Sequence, residues 1–530
     1  MLKCIDEIPE RCGNWYTKQF SFCDKPDEQF TVHHRNPVEA IKALWGDPAF
    51  AENLVYRPGK LFRGGEAKTE DNRIFSEMWT AGFWNAVQHA IPEGGTVCPV
   101  IIASDKTNLT RFSGNKSAYP VYLTIGNLPK ALRRKPSARA CVLIAYLSVD
   151  KPDKKCITKK DSKLRAYEIF HCSMAHVLAP LKSAGNPQTG GIEMVGGDDY
   201  PEQCLVTCTK YGTCPKCKKK AQELSHAVTG DLWTQSWTQK IINKAYKDAV
   251  ANQAKSHAHT SAMKEHNVAG GFEPFWAGFP LTDIHWCITP DILHQCYQGV
   301  FVHLHKWVQE IRFQVLPPTC GIADFSQITE TEHKHIAHIL LASLTGKVDA
   351  KGIAACKALL NFIHLAQYPS HDQETLDYMD AELQTWHKNK AYFVTEGVRD
   401  HLNIPKFHSL WLGTTDNYNT EAFERLHIDM AKEAWDATNK HDHFPQMTQW
   451  LSRQEKRMSY EFYRNWIDST TMAHDEDTEE DKSEEDTTAL ILDVAKLGKK
   501  RQTQVKRAPT ADAARKVETQ SGSELLQTNI

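Results

Sequence analysis

Three groups of carboxylates stand at widely separated positions in the chain. Asp105 directly follows an apolar, β-branched run in Val100-Ile-Ile-Ala-Ser-Asp-Lys-Thr107, so it sits where a buried strand would end at the edge of a cleft. Asp198 and Asp199 lie in Gly196-Gly-Asp-Asp-Tyr-Pro-Glu-Gln203, and Glu421 lies in Asn417-Tyr-Asn-Thr-Glu-Ala-Phe-Glu-Arg-Leu-His-Ile-Asp429. Each has a plain structural reading. The aspartates suit turns, and a first-turn glutamate is favoured by the helix dipole. Brought together, such acids could hold two Mg²⁺ ions about 3.5–4 Å apart, activating an attacking oxygen and stabilising a leaving one in phosphodiester chemistry.

Two further patterns carry ligand chemistry. Cys204, Cys208, Cys214 and Cys217 place four thiols within fourteen residues, and Cys214-Pro-Lys-Cys-Lys218 resembles a zinc knuckle. Tetrahedral Zn²⁺ would accept these four thiolates, or the Cys214/Cys217 pair with later histidines such as His257, His259 or His266. The alternative is a pair of buried cysteines beside a fortuitous Cys-x-x-Cys. In Thr289-Pro-Asp-Ile-Leu-His-Gln295, Thr289 fits a helix N-cap and Pro290 the first helical position. Asp291 and His294, three apart, share a face of that helix, so the histidine could orient the acid or contact a phosphate.

The elements that must position these residues follow from apolar periodicity. Strands are expected at 96–103, 119–125 and 138–147, then a helix at 164–184 with Ile169, Phe170, Met174, Val177, Leu178 and Leu181 on one stripe. A helical pattern also runs from Asn72 to Val87, and an amphipathic stretch covers 37–45 within an otherwise loop-rich 1–75. From 290 to 466 the chain reads almost entirely helical. Three consecutive strands and then a helix predict an α/β or α+β domain with an antiparallel start.

Composition bounds the class. The chain has 530 residues, is 41% hydrophobic and 24% charged, and no segment approaches the roughly 20 apolar residues of a membrane span. The opening Met1-Leu-Lys-Cys-Ile-Asp-Glu-Ile-Pro-Glu10 has acids and a proline where a signal peptide would be apolar, so the cysteines are expected as thiols in a reducing compartment. The net charge of −2 conceals an asymmetry. From residue 467 onward there are 14 Asp+Glu against 9 Lys+Arg, a net of −5, leaving the preceding chain at +3. That acidic tail, with a basic cluster at 499–507, is too polar to form a core and is expected to be disordered.

The runs Ala103-Ser-Asp-Lys-Thr-Asn-Leu-Thr110, Ser113-Gly-Asn-Lys-Ser-Ala-Tyr-Pro-Val-Tyr-Leu-Thr-Ile-Gly-Asn127, Arg133-Arg-Lys-Pro-Ser-Ala-Arg139, Pro201-Glu-Gln-Cys-Leu-Val206, Thr289-Pro-Asp-Ile-Leu-His-Gln295 and Tyr418-Asn-Thr-Glu-Ala-Phe-Glu-Arg-Leu-His-Ile-Asp429 resemble the Plavaka transposases, fungal cut-and-paste elements related to the CACTA superfamily. The resemblance runs in order from about residue 5 to 465. It implies an RNase H-like mixed-sheet core with a DDE triad, a large helical insertion before the last acid, and Mg²⁺ (or Mn²⁺) dependence. Carried onto this chain, the triad is Asp105, Asp199 (with Asp198 open as the second acid) and Glu421. Asp291 and His294 match the Asp-x-x-His signature of CACTA-like transposases.

The implied organisation is an extension at 1–75, a core at 76–289 with the knuckle-like segment at 204–217, a helical insertion at 290–412, a return to the core at 413–466, and the tail at 467–530. The implied substrates are DNA element ends and target DNA. Lys106, Arg111, Lys116, Arg133, Arg134 and Lys135 are expected to contact phosphates, structural Zn²⁺ to brace the second acid's surroundings, and the protein to reside in the nucleus, with a homo-oligomer open. Neither a membrane nor a small-molecule substrate is expected. Relatives carry a longer segment before the second acid than Gly191-Ile-Glu-Met-Val-Gly-Gly-Asp-Asp199. Either 192–195 is a curtailed strand or the metal site is damaged, and a transposase-derived binding protein without cleavage is the alternative function.

Overall fold

The computed structural model describes residues 2–65, 68–110, 116–153, 158–185, 191–196, 200–227, 229–251, 263–270, 272–280, 282–315, 330–412 and 421–474. Asp198, Asp199, Arg111, His257, His259 and the chain beyond 474 therefore lie outside the described residues.

The protein is mixed α/β, and its centre is a six-stranded sheet. The strands are β1 (Tyr16–Phe22), β2 (Lys25–His34), β3 (Val97–Ser104), β4 (Pro120–Ile125), β5 (Val142–Tyr146) and β6 (Gly191–Gly196), in spatial order β1-β2-β5-β4-β3-β6. Neighbours pair antiparallel except β3 and β6, which run parallel from Val97↔Gly191 to Ile102↔Gly196. Residues 192–195 thus serve as a short strand beside β3. Every residue of β3, β4 and β5 is buried. Both faces of the sheet are covered there, which is why these strands read as continuous apolar runs rather than alternating ones.

One face receives helix α1 (Pro37–Trp45), capped by the Asn36 side chain, and helix α2 (Lys159–Ala184), capped by Thr158. All six stripe residues of α2, from Ile169 to Leu181, are buried. Since α2 connects β5 to β6, the chain crosses over the sheet before returning parallel to β3. Helix α3 (Tyr200–Val206) follows β6 almost at once.

The 72–87 stretch departs from the expected helix. Arg73–Phe75 is a short strand paired with Leu61–Phe62 and His371–Asp372, and the helix covers Gly82–Ala90 only. The buried Arg73 guanidinium donates to the Thr80 carbonyl at 2.7 Å, while the Thr80 hydroxyl accepts from Ser76 N–H and donates to the Glu77 carbonyl. These side-chain bonds satisfy the local backbone in an extended and turned form.

The second half builds its own apolar core from a π-helical segment, Ile292–Phe301, continuing into α-helix Val302–Val315, with helices Glu330–Leu344, Ala350–Ala366, Gln373–Asn389 and Pro405–Ser409 packed around it. Trp307, Trp386, Phe393 and Phe407 stack at ring separations of 5.1–5.9 Å in its middle. The chain then reaches helix Glu421–His427, a second π-helical turn, Ile428–Lys432, and the long helix His443–His474. Two compact units divide the described residues, 2–11 with 451–474 and the described part of 12–450. Within the former, Arg453 pairs with Asp6 at 2.7 Å and Lys456 with Glu10 at 2.9 Å. Among the described residues no helix is long and apolar enough to cross a membrane.

Candidate functional site

Asp105 immediately follows β3, the strand flanked by β4 and β6, and its side chain is 51% exposed. Opposite it stands helix Glu421–His427. Phe423 anchors that helix, packing against the cluster of Met78, Trp84, Ile91, Val97 and Ile101, with its ring 6.3 Å from that of Tyr122 on β4. Two side chains of the helix then reach the end of the sheet. His427 Nε2 lies 3.5 Å from Asp105 Oδ2 and 4.0 Å from Glu424 Oε2. One donor atom from each of Asp105, Glu424 and His427 falls within 4.8 Å of the others.

Both ends of the His427 ring are held. Its Nδ1 lies 3.0 Å from the Tyr122 hydroxyl, and burial pushes that phenol's pKa well above its ordinary value, so the group stays a hydroxyl at any working pH. His427 itself is buried, whereas the carboxylates of Asp105 and Glu424 are 51% and 40% exposed. The cluster is therefore anchored from inside and open on its acidic side.

A second histidine backs the glutamate. His294 Nε2 lies 3.3 Å from Glu424 Oε1, and its Nδ1 lies 3.1 Å from Asp291 Oδ2. Carboxylates only accept, so both ring nitrogens must carry protons for the two contacts to be hydrogen bonds. The His294 contact, set against the opposing effect of burial, holds the Glu424 carboxyl below its ordinary pKa of 4.5. Asp291 is fully buried, and its other oxygen accepts from the His294 backbone N–H at 2.9 Å. Asp291 is thus the N-cap of the π-helical segment, a place the sequence assigns to Thr289.

Glu421 is turned away from this group: its carboxylate pairs with Lys334 Nζ at 2.7 Å. Successive helical residues are rotated by about 100°. Glu424 and His427 share the face toward Asp105, while Glu421 lies about 120° round from His427. The spacing of Glu421, Glu424 and His427 was the available signal for the other two. Asp199 lies outside the described residues, but the residues on either side of it border the end of β3. Gly196 is paired with Ile102, and Glu202 on α3 accepts hydrogen bonds from the hydroxyls of Ser104 (3.0 Å) and Tyr119.

The basic residues divide. Lys106, Lys116 and Lys135 are exposed. Arg133 is turned inward, with Nε on the Leu128 carbonyl at 3.0 Å and Nη2 3.7 Å from Glu77. Arg134, Lys135 and Arg139 join it around a shallow recess whose far wall is Ala422 and Leu426 of helix Glu421–His427.

The four cysteines divide too. Cys208 has φ +56° and terminates α3, its N–H bonding to the Leu205 carbonyl and that of Thr209 to the Cys204 carbonyl. Its sulfur faces His171 Nε2 at 3.6 Å. Cys204 lies against Tyr200. Cys214 and Cys217 instead meet His408, a residue no sequence spacing singles out. Hydrogen bonding from Cys214, followed by His408, draws the Cys217 thiol down to about 4, while burial pushes that of Cys214 up. His266 contacts the Trp237 ring, at a centroid distance of 6.0 Å.

The fold and this cluster define a mixed α/β protein with acids and imidazoles gathered at the end of a central strand. A family model of the Plavaka transposase matches residues 1–308, more than half of the chain, and the chain belongs to that family: it is a transposon-derived transposase. The match includes Asp105, Asp291, His294 and the four cysteines, and ends before helix Glu421–His427. No curated protein matches the chain.

Proposed function

We propose that the protein is a metal-dependent DNA transposase that hydrolyses a phosphodiester at each element end, releasing a 3′-OH, and then directs that 3′-OH at a phosphodiester of target DNA. The observation that carries this reading is the meeting of Asp105 with Glu424 and His427 at the end of β3. The strand order β5-β4-β3-β6, three antiparallel strands and a fourth parallel to the first after a helical crossover, supports an RNase H-like core. Family membership supports DNA as the partner.

The donor set suits a hard divalent cation. Two carboxylates offer the oxygen ligands of Mg²⁺, and Mn²⁺ also accepts the imidazole. Asp105, Glu424 and His427 would hold it, with Asp199 as the family-implied second acid and Glu421 one turn from the site. When bound, such an ion lowers the pKa of an attacking water and offsets charge on the leaving oxygen.

The remaining work falls to the chain. Tyr122 fixes the His427 ring, and the Asp291–His294 pair orients Glu424 and keeps it ionised. Glu202 ties the start of α3 to Ser104, next to Asp105. The exposed Lys106, Lys116 and Lys135 are available to DNA phosphates, whereas the inward turn of Arg133 gives it a structural role. A DNA substrate carries nuclear residence with it.

The test is Mg²⁺- or Mn²⁺-dependent nicking of a duplex bearing the element's own terminal repeat. Wild type is expected to nick and Asp105→Asn to lose nicking by 100-fold or more, on the order of removing a principal transition-state contact. Equal nicking by the two proteins would overturn the assignment.

A further inference from the structure

The turn 214–217 directs its backbone amides at its own two sulfurs. Backbone N–H groups of Lys216 and Cys217 both donate to Cys214 Sγ at 3.4 Å, and that of Lys219 donates to Cys217. Amides converging on sulfur stabilise thiolates rather than thiols. The turn is fixed from behind by Trp233 Nε1 donating to the Cys214 carbonyl at 3.1 Å and by His285 Nδ1 at 2.8 Å from the Pro215 carbonyl. In front of it, His408 Nε2 lies 3.1 Å from Cys217 Sγ. All three donor residues are buried, their donor atoms fall within 4.8 Å of one another, and among the described residues His408 Nδ1 has no hydrogen-bond partner.

We infer that Cys214, Cys217 and His408 bind one zinc ion, which fastens the turn at the foot of the sheet domain to helix Pro405–Ser409 of the helical half. Soft sulfur with imidazole selects zinc over the oxygen-loving Mg²⁺. Two thiolates cancel the charge of Zn²⁺, so the buried site is neutral when filled, which removes the main penalty of burying an ion. The fourth tetrahedral position is left to water. Cys204 and Cys208 are not ligands, because one lies against Tyr200 and the other ends α3 facing His171. The clasp joins residues 191 positions apart, and it is independent of the nuclease reading, since none of its ligands belongs to the acidic cluster.

The test is metal content of the full chain purified after dialysis against zinc without chelator, measured by inductively coupled plasma mass spectrometry. One zinc per chain is expected for wild type, Cys204→Ser and Cys208→Ser. Less than a tenth is expected for Cys217→Ser and His408→Ala, and full occupancy for His408→Cys, which keeps a ligand at that place. A wild-type measurement stands beside the variants: zinc should protect Cys214 and Cys217 from alkylation, and a chelator should release both. Zinc retained by Cys217→Ser and His408→Ala, zinc lost from Cys204→Ser, or alkylation at Cys214 and Cys217 unaffected by zinc would each overturn the assignment.

Discussion

His427 is the residue on which the acids converge, because its ring is fixed by a buried phenol on one side and leaves its other nitrogen to Asp105. Free Mn²⁺ titrated against the protein should show affinity falling by more than the 10- to 100-fold typical of an outer-shell change for both Asp105→Asn and Glu424→Gln. Glu421→Gln should stay within about twofold, since that carboxylate is engaged by Lys334. Equal losses at 421 and 424 would show that the helix rotates on binding. A pH effect follows from the same contacts. The Glu424 carboxyl is lowered by His294, so its contribution to stability is fully present above its ordinary value of 4.5 and is lost as pH falls through the depressed one. Thermal unfolding should therefore separate wild type from Glu424→Gln at pH 6 and bring their Tm values together near pH 3, and a constant gap would rule the ion pair out as its source. The place of Asp105 at the end of a buried strand was legible from the apolar run before it, whereas the directions in which Glu421 and Glu424 point depend on which way a helix is turned, which a seven-residue segment does not disclose.

At the scale of elements, both segments that carry the histidines pass through a π-helical stretch: Ile292–Phe301 contains His294, and Ile428–Lys432 begins right after His427. Such wider turns cluster at functional sites because they re-aim side chains without ending the helix. Gly299 is part of the first stretch. A Cβ there would meet Lys406 Cδ at 2.6 Å and the His294 carbonyl oxygen at 2.7 Å, and the Lys406 ammonium bonds that same carbonyl at 3.0 Å. Gly299→Ala is expected to destabilise by about 1–3 kcal/mol, the usual overpacking range. Chemical denaturation measures it, and Gly299→Ala combined with Lys406→Ala should recover part of the loss. No recovery would place the strain in the backbone alone.

The apolar stripe of α2 could be read from its helical periodicity, and the three buried strands from short apolar, β-branched runs bounded by turn residues, since full burial leaves them no alternation. The hairpin of β1 and β2 could not: Tyr-Thr-Lys-Gln-Phe-Ser-Phe is mostly exposed on a sheet edge, where little selects an alternating pattern. The π-helical turns were hidden for a different reason, as segments of ten and five residues are too short to separate their period from that of an α-helix.

Over the whole molecule, charge is divided along the chain. Residues 475–530 hold 13 acids against 9 bases, so deleting them moves the remaining chain from −2 to +2. Duplex DNA binding by the shortened chain should be tighter at 50 mM salt, and the difference should vanish by about 0.5 M, where exposed charges more than a few ångströms apart are screened. Fluorescence anisotropy on a labelled duplex would show it. An unchanged affinity at low salt would mean that the terminal charge has no electrostatic reach to the duplex.

The Tyr122–His427 contact joins residues 305 positions apart. At the usual synthesis rate of about 5–20 residues per second, a growing chain carries Asp105 for roughly 15–60 s before His427 and Glu424 leave the ribosome. For that interval Asp105 is without the Glu424 and His427 side chains that lie beside it in the finished chain. All six strands of the central sheet are made by Gly196, so the sheet can form well before helix Glu421–His427 exists, and the cluster with Asp105 closes last, onto a framework already in place.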